Sequence, residues 1–166
     1  LAPPPPDTEF AAKVTDICAV YEQAAERAER GELTYSLDEM TGIQALERAM
    51  PNLEMKPGRC EKVEFEYIRH GTQALIASLN VATGQIDQAS VGDTRTEADL
   101  DAHLRALLGP APTAPKIHLT MDCLNTHQSE SLVRLVAELE PEPMELGEKG
   151  KSGILASMAT RSDFLK

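Results

Sequence analysis

Leu33-Thr34-Tyr35-Ser36-Leu37-Asp38-Glu39 and Ile117-His118-Leu119-Thr120-Met121-Asp122 are two short, β-favouring runs that each reach an aspartate at their end. Each follows a turn-rich break, at Gly31 and at Gly109-Pro110-Ala111-Pro112, so each reads as a strand entering a sheet. Paired as neighbouring buried strands, they would bring Asp38 and Asp122 out side by side at one edge of the sheet. Two carboxylates so placed repel each other unless a divalent cation lies between them. Metal-dependent phosphoryl-transfer sites are assembled in this way.

Outward from these strands, the chain alternates between helical and extended patterns. Apolar residues at Phe10, Val14, Ile17, Cys18, Tyr21 and Ala25 follow helical spacing and predict an amphipathic helix to about Arg30, capped from Asp7-Thr8-Glu9 and packed by one face on the sheet. Strands are predicted at 33–38, 63–69, 73–81 and 85–91, the last two joined by a Val81-Ala82-Thr83-Gly84 turn. Residues 41–60, with Pro51, Pro57 and Gly58, read as an irregular excursion. Thr96 should cap a helix to about Leu108, and further helices are predicted over 129–139 and 152–165, separated by a Pro- and Gly-containing loop at 140–150. Strands and helices in this order make an α/β protein, a mixed sheet flanked by helices. Leu1 to Pro6 is a proline-rich leader, and residues 7–166 form one domain.

Composition narrows the functional classes. Hydrophobic residues are 42% of 166, which suits a globular core and argues against wholesale disorder. Trp is absent, so Leu, Ile, Val, Ala and Met must build that core. No apolar run is long enough to span a bilayer and the leader lacks signal-peptide character, which predicts a cytoplasmic protein with no membrane partner. Cys18, Cys60 and Cys123 are far apart and odd in number, so free thiols are expected rather than a disulfide framework. The net charge of −11 opposes tight binding to duplex DNA, whose affinity for proteins comes largely from phosphate neutralisation.

Several segments carry a resemblance in common. Asp38-Glu39-Met40-Thr41-Gly42-Ile43-Gln44-Ala45-Leu46-Glu47-Arg48 resembles the first catalytic segment of bacterial insertion-sequence transposases in the mariner-like branch of the DDE superfamily. Lys56-Pro57-Gly58-Arg59, Tyr67-Ile68-Arg69-His70-Gly71-Thr72 and Asn80-Val81-Ala82-Thr83-Gly84 are similar to that family in the same order. Asp122-Cys123-Leu124-Asn125-Thr126-His127 resembles its second catalytic segment, and Gly150-Lys151-Ser152-Gly153-Ile154-Leu155 its later helix region. The resemblance implies a ribonuclease-H-like fold, lacking its last strand and helix, whose intact members cut and rejoin DNA. It assigns Asp38 and Asp122 as catalytic ligands of Mg²⁺ or Mn²⁺, held weakly here. The family's third ligand, a Glu in an Asn-Gln-(Val/Ile)-Glu segment, has no counterpart in these residues, nor has its N-terminal helix-turn-helix. Glu140, Glu142, Glu145, Glu148 and Asp163 are the substitutes within the chain, none well aimed at the site.

Around the pair, Glu39 points to the opposite strand face from Asp38, where it would either support the site or stand at the surface. Asn125 would donate to phosphate and His127 orient a water or leaving group; Asn125 or Thr126 would equally serve as a helix cap. A Cys123 nucleophile with His127 as base is disfavoured by the preceding carboxylate. Arg48, Lys56, Arg59 and Arg69, with His70, are candidate DNA contacts, or else a solvated face with scattered ion pairs. Lys149 and Lys151 flank Gly150 before a helix start, a weak phosphate site. The resulting expectation is a transposase catalytic-core fragment, inactive as this chain and self-associating through an uncovered sheet edge. The alternative is a non-catalytic interaction or dimerisation module left from a truncated mobile element.

Overall fold

The computed structural model describes residues 9–109 and 114–166. The proline-rich leader and the Pro110-Ala111-Pro112 break lie outside the described residues. Four strands form one sheet in the order β3-β2-β1-β4: β1 is Leu33–Arg48, β2 Tyr67–Asn80, β3 Gln85–Gly92 and β4 Ile117–Thr120. Strands β1, β2 and β3 pair antiparallel, whereas β4 runs parallel to β1. The parallel step requires a crossover, and helix α3 (Glu97–Leu108) supplies it. Hairpins, helix, strand and then helix α4 (Glu130–Leu139) is the ribonuclease-H order, so the predicted mixed α/β sheet is the fold observed.

Alternation along β1 and β2 sets the two faces. Leu37 and Ile76 join Leu100 and Leu104 of α3 and Leu132 and Leu135 of α4 in the buried core, with Leu119 and Met121 packed against it. Each such leucine stabilises the fold by roughly 1.5–3 kcal/mol of transfer free energy. Helix α3 starts where expected: Thr96 and Asp99 form a reciprocal capping box, and Gly109 ends it at φ 68°. Helix α4 is capped by Ser129, whose side chain accepts the Leu132 N–H at 3.2 Å. The turn after β2 also forms as read, with Gly84 at φ 70° and its N–H on the Asn80 carbonyl at 2.8 Å.

Four expectations are corrected. Residues 41–48 are not irregular but continue β1, paired with Tyr67–Gln73, and the predicted strands at 63–69 and 73–81 are one strand, β2, beginning at Tyr67. Gly42 and Gly71, at φ 72° and 95°, let this ribbon pass through register shifts without ending. Bridges at Leu53–Lys62 and Lys56–Arg59 carry the ribbon on to a tip at Pro57-Gly58. The first helix divides into α1 (Phe10–Glu22) and α2 (Ala24–Glu29), and its apolar stripe does not pack on the sheet: Phe10 is 65% exposed and Ile17 50%. Only Ala24 of α2 is buried, and the Tyr21 hydroxyl meets Ser36 Oγ at 2.9 Å. Glu9 occupies the N-cap, its side chain paired with Lys13 at 3.6 Å rather than capping the helix, and Asp7 and Thr8 lie outside the described residues. The last predicted helix begins only at Ser157, which caps α5 (Met158–Phe164) after a 3-10 turn at Ile154–Ala156.

All three cysteines are free and exposed. Among the described residues no helix is long and apolar enough to cross a membrane.

Candidate active site beside strands β1 and β4

The parallel ladder pairs Leu33 with Ile117, Thr34 with His118, Tyr35 with Leu119 and Ser36 with Thr120. Asp38 is not the end of its strand, as expected, but lies within β1 opposite Ala77 of β2; β4 stops at Thr120, and its register continued by two residues would set Asp122 level with Asp38. Strand alternation puts Asp38 on the face of Ser36, toward α1 and α2, opposite the core face of Leu37 and Glu39. Asp38 Oδ1 accepts the N–H of Glu39 at 2.8 Å, and Asp122 Oδ1 accepts that of Leu124 at 3.0 Å. Both side chains are exposed, and among the described residues no donor meets Oδ2 of either. Two hard carboxylate oxygens with free lone pairs are the donor type that Mg²⁺ and Mn²⁺ select. Among the described residues no group of three or more His, Cys, Asp or Glu is arranged to hold a metal.

Glu39 is buried. Its side chain is 3% exposed, with Oε1 at 3.0 Å from His127 Nε2 and Oε2 at 3.8 Å from Arg95 Nη1. His127 lies in the 3-10 turn Asn125–Gln128 that follows Asp122, and its side chain is only 2% exposed. Its other nitrogen, Nδ1, is 2.9 Å from both the carbonyl oxygen and Oδ1 of Asp122. The imidazole therefore spans from the buried face to the exposed carboxylate, with oxygen acceptors at both nitrogens.

The remaining candidates separate. Asn125 is exposed at the start of the 3-10 turn, and the helix cap that it or Thr126 was expected to provide is Ser129 instead. Thr126 Oγ1 is buried without a partner among the described residues. Arg48, Lys56, Arg59 and Arg69 are exposed along the β1–β2 ribbon, far in the ladder from Asp38. Arg48 donates to Asn52 Oδ1, and His70 faces Glu47 at 2.7 Å. Glu47, Glu54, Glu61, Glu64 and Glu66 alternate with these bases, so positive character is confined to the tip, where Lys56 and Arg59 face each other across Pro57-Gly58. Lys149 pairs with Glu97 and Glu130, and Lys151 with Glu148. With no helix starting at Ser152, the weak phosphate site at Gly150 loses its helix terminus.

Two polar residues, one exposed and one in the core, went unread in the sequence. Arg95 sits in the loop before α3 with nothing local to mark it. His103 is 1% exposed, clamped between Ser78 Oγ and Ser90 Oγ at 2.8 Å each, and burial holds its pKa below the usual histidine value. The signal for it was its place beside Leu100, Leu104 and Leu107 on the apolar face of α3.

A family model described as DDE superfamily endonuclease matches residues 34–146, a span that includes Asp38, Glu39, Asp122 and His127. No curated protein matches the chain. The chain is similar to one in the crystal structure of the mariner Mos1 paired end complex with Mg, at 15% identity and a TM-score of 0.36. That similarity covers 74% of this chain and 39% of that chain, so these residues span about two fifths of its length.

Proposed function

Because the chain belongs to the DDE superfamily of endonucleases, we propose that it is part of the catalytic core of a DNA transposase, with Asp38 and Asp122 as ligands of Mg²⁺ or Mn²⁺. The observation that supports this reading is the parallel register of β1 and β4, which sets Ser36 against Thr120, two residues before each aspartate. The ion, when bound, would supply Lewis-acid chemistry to a phosphodiester. The protein's own contribution would be to hold Asp38 within the paired strand β1 and Asp122 in the turn that follows β4. Arg48, Lys56, Arg59 and Arg69 would meet DNA phosphates along the ribbon, with Lys56 and Arg59 foremost. The chain would act wherever the cell keeps its DNA, and a cytoplasmic setting fits the free thiols.

Mn²⁺ binding followed by electron paramagnetic resonance tests the site. Weak binding is expected, abolished by Asp38→Asn and by Asp122→Asn. Undiminished binding in both variants would remove the pair from the mechanism.

The second reading, an interaction or dimerisation module, draws on the exposed apolar side chains of the ribbon. Met50, Leu53, Met55 and Phe65 are 63%, 64%, 73% and 80% exposed, more than an isolated soluble hairpin usually shows. A second copy of the chain is the partner this reading names. Sedimentation that finds a dimer disrupted by Met55→Ser and Phe65→Ser, together with no Mn²⁺ binding, would favour it over catalysis.

A further inference from the structure

We infer that His127 is a positioning residue for Asp122, anchored from the other face of the sheet by Glu39 and Arg95. The inference rests on the reading of Asp122 as a metal ligand. Asp122 lies beyond the last paired residue of β4, Thr120, so no strand ladder fixes it. Its side chain is 67% exposed, and solvent alone would leave its torsions free. What fixes it is Nδ1 of His127, 2.9 Å from both its carbonyl oxygen and Oδ1, together with the Leu124 N–H.

The imidazole is in turn held from behind. Glu39 Oε1 stands 3.0 Å from Nε2, and Glu39 is itself immobilised by burial and by Arg95 at 3.8 Å. Glu39 is also the next residue after Asp38 on β1. One rigid strand thus carries the first carboxylate on its exposed face and the anchor of the second on its buried face. Hydrogen-bonded groups behind a ligand commonly fix its orientation and raise metal affinity.

The test uses two variants that break the link at different points. Glu39→Ala removes the anchor; His127→Gln keeps a donor toward Glu39 but loses the grip on Asp122. Two measurements are made on each: Mn²⁺ affinity by electron paramagnetic resonance, and hydrogen exchange of the Leu124 amide, whose acceptor is Asp122 Oδ1. Exchange at Val133, in the core of α4, reports global stability. The expected result is a loss of about tenfold in Mn²⁺ affinity and faster exchange at Leu124 that exceeds any change at Val133. Unchanged Leu124 exchange, or exchange that rises only in step with Val133, overturns the inference. If the unaltered chain binds no Mn²⁺, the metal reading fails, and Leu124 exchange still decides whether His127 positions Asp122.

Discussion

Nε2 of His127 lies 3.0 Å from Oε1 of Glu39, both side chains almost wholly buried, although 88 positions separate the two residues. A buried polar pair of this kind adds little net stability while intact, but removing one partner leaves the other without a partner or water. Asp38, one residue from Glu39, is exposed on the other face, and the β1–β4 register continued by two residues would set it against a like charge at Asp122.

Adjacent carboxylates should therefore respond oppositely to neutralisation. Glu39→Leu is expected to destabilise the fold by about 1–3 kcal/mol in urea unfolding. Asp38→Asn should change it by less than about 0.5 kcal/mol, and in the stabilising direction if the repulsion is felt. Equal costs for the two substitutions would mean that Glu39 is not buried as described.

The fold was legible where local signals and packing agreed. Thr96 with Asp99, Ser129, Gly84 and Gly109 each announce a boundary that the structure keeps, because capping and positive φ are decided within a few residues. The ribbon was misread because Pro51, Pro57 and Gly58 look like breakers, whereas antiparallel pairing with β2 sustains the strand to Arg48. Helix α1 was placed on the sheet from its spacing alone, and periodicity states which face is apolar without stating what covers it. Asp38 was read as the end of its strand but lies within β1, which runs on to Arg48, whereas Asp122 does follow the end of β4, two residues past Thr120. The buried clamp behind them was not legible, since the Arg95–Glu39–His127 contacts join three separate segments.

Acid should weaken the fold through His103. Its pKa is lowered from 6.5 by burial, so the unfolded chain takes up a proton at a pH where the native ring is still neutral. Well above pH 6.5 neither state binds that proton and the effect is nil; as pH falls below 6.5, stability declines toward a limit of about 1.4 kcal/mol per pH unit. The decline ends once the native ring also protonates. The informative quantity is the difference from His103→Gln, which removes this group alone. Melting temperatures between pH 8 and pH 5 should fall more steeply for the unaltered chain than for the variant.

Binding to DNA should be weak and steeply salt-dependent. A net charge of −11 repels phosphate over the whole surface, and the ribbon's bases are matched by acids except at the tip. Each phosphate contact contributes a slope of about 0.9 in the logarithm of affinity against the logarithm of salt. Lys56→Ala with Arg59→Ala is expected to lower that slope by about one to two contacts in a fluorescence-anisotropy titration. Tight binding to one duplex that ignores added salt would place the DNA surface elsewhere.

Strand cleavage by these 166 residues alone is not expected. Two carboxylates can hold one divalent ion, but a paired-metal displacement needs a further ligand to fix the second ion and the line of attack. Among the described residues no third His, Cys, Asp or Glu completes such a group. The candidate substitutes are engaged or exposed elsewhere: Glu148 pairs with Lys151 at 2.8 Å and Asp163 with Lys166 at 3.0 Å. Glu140, Glu142 and Glu145 are exposed in the loop after α4. Supercoiled plasmid incubated with Mg²⁺ or Mn²⁺ should therefore stay uncut, with Asp38→Asn as the control for contaminating nuclease. Cleavage that Asp38→Asn abolishes would show that another carboxylate of this chain reaches Asp38, and that the two aspartates do not work alone.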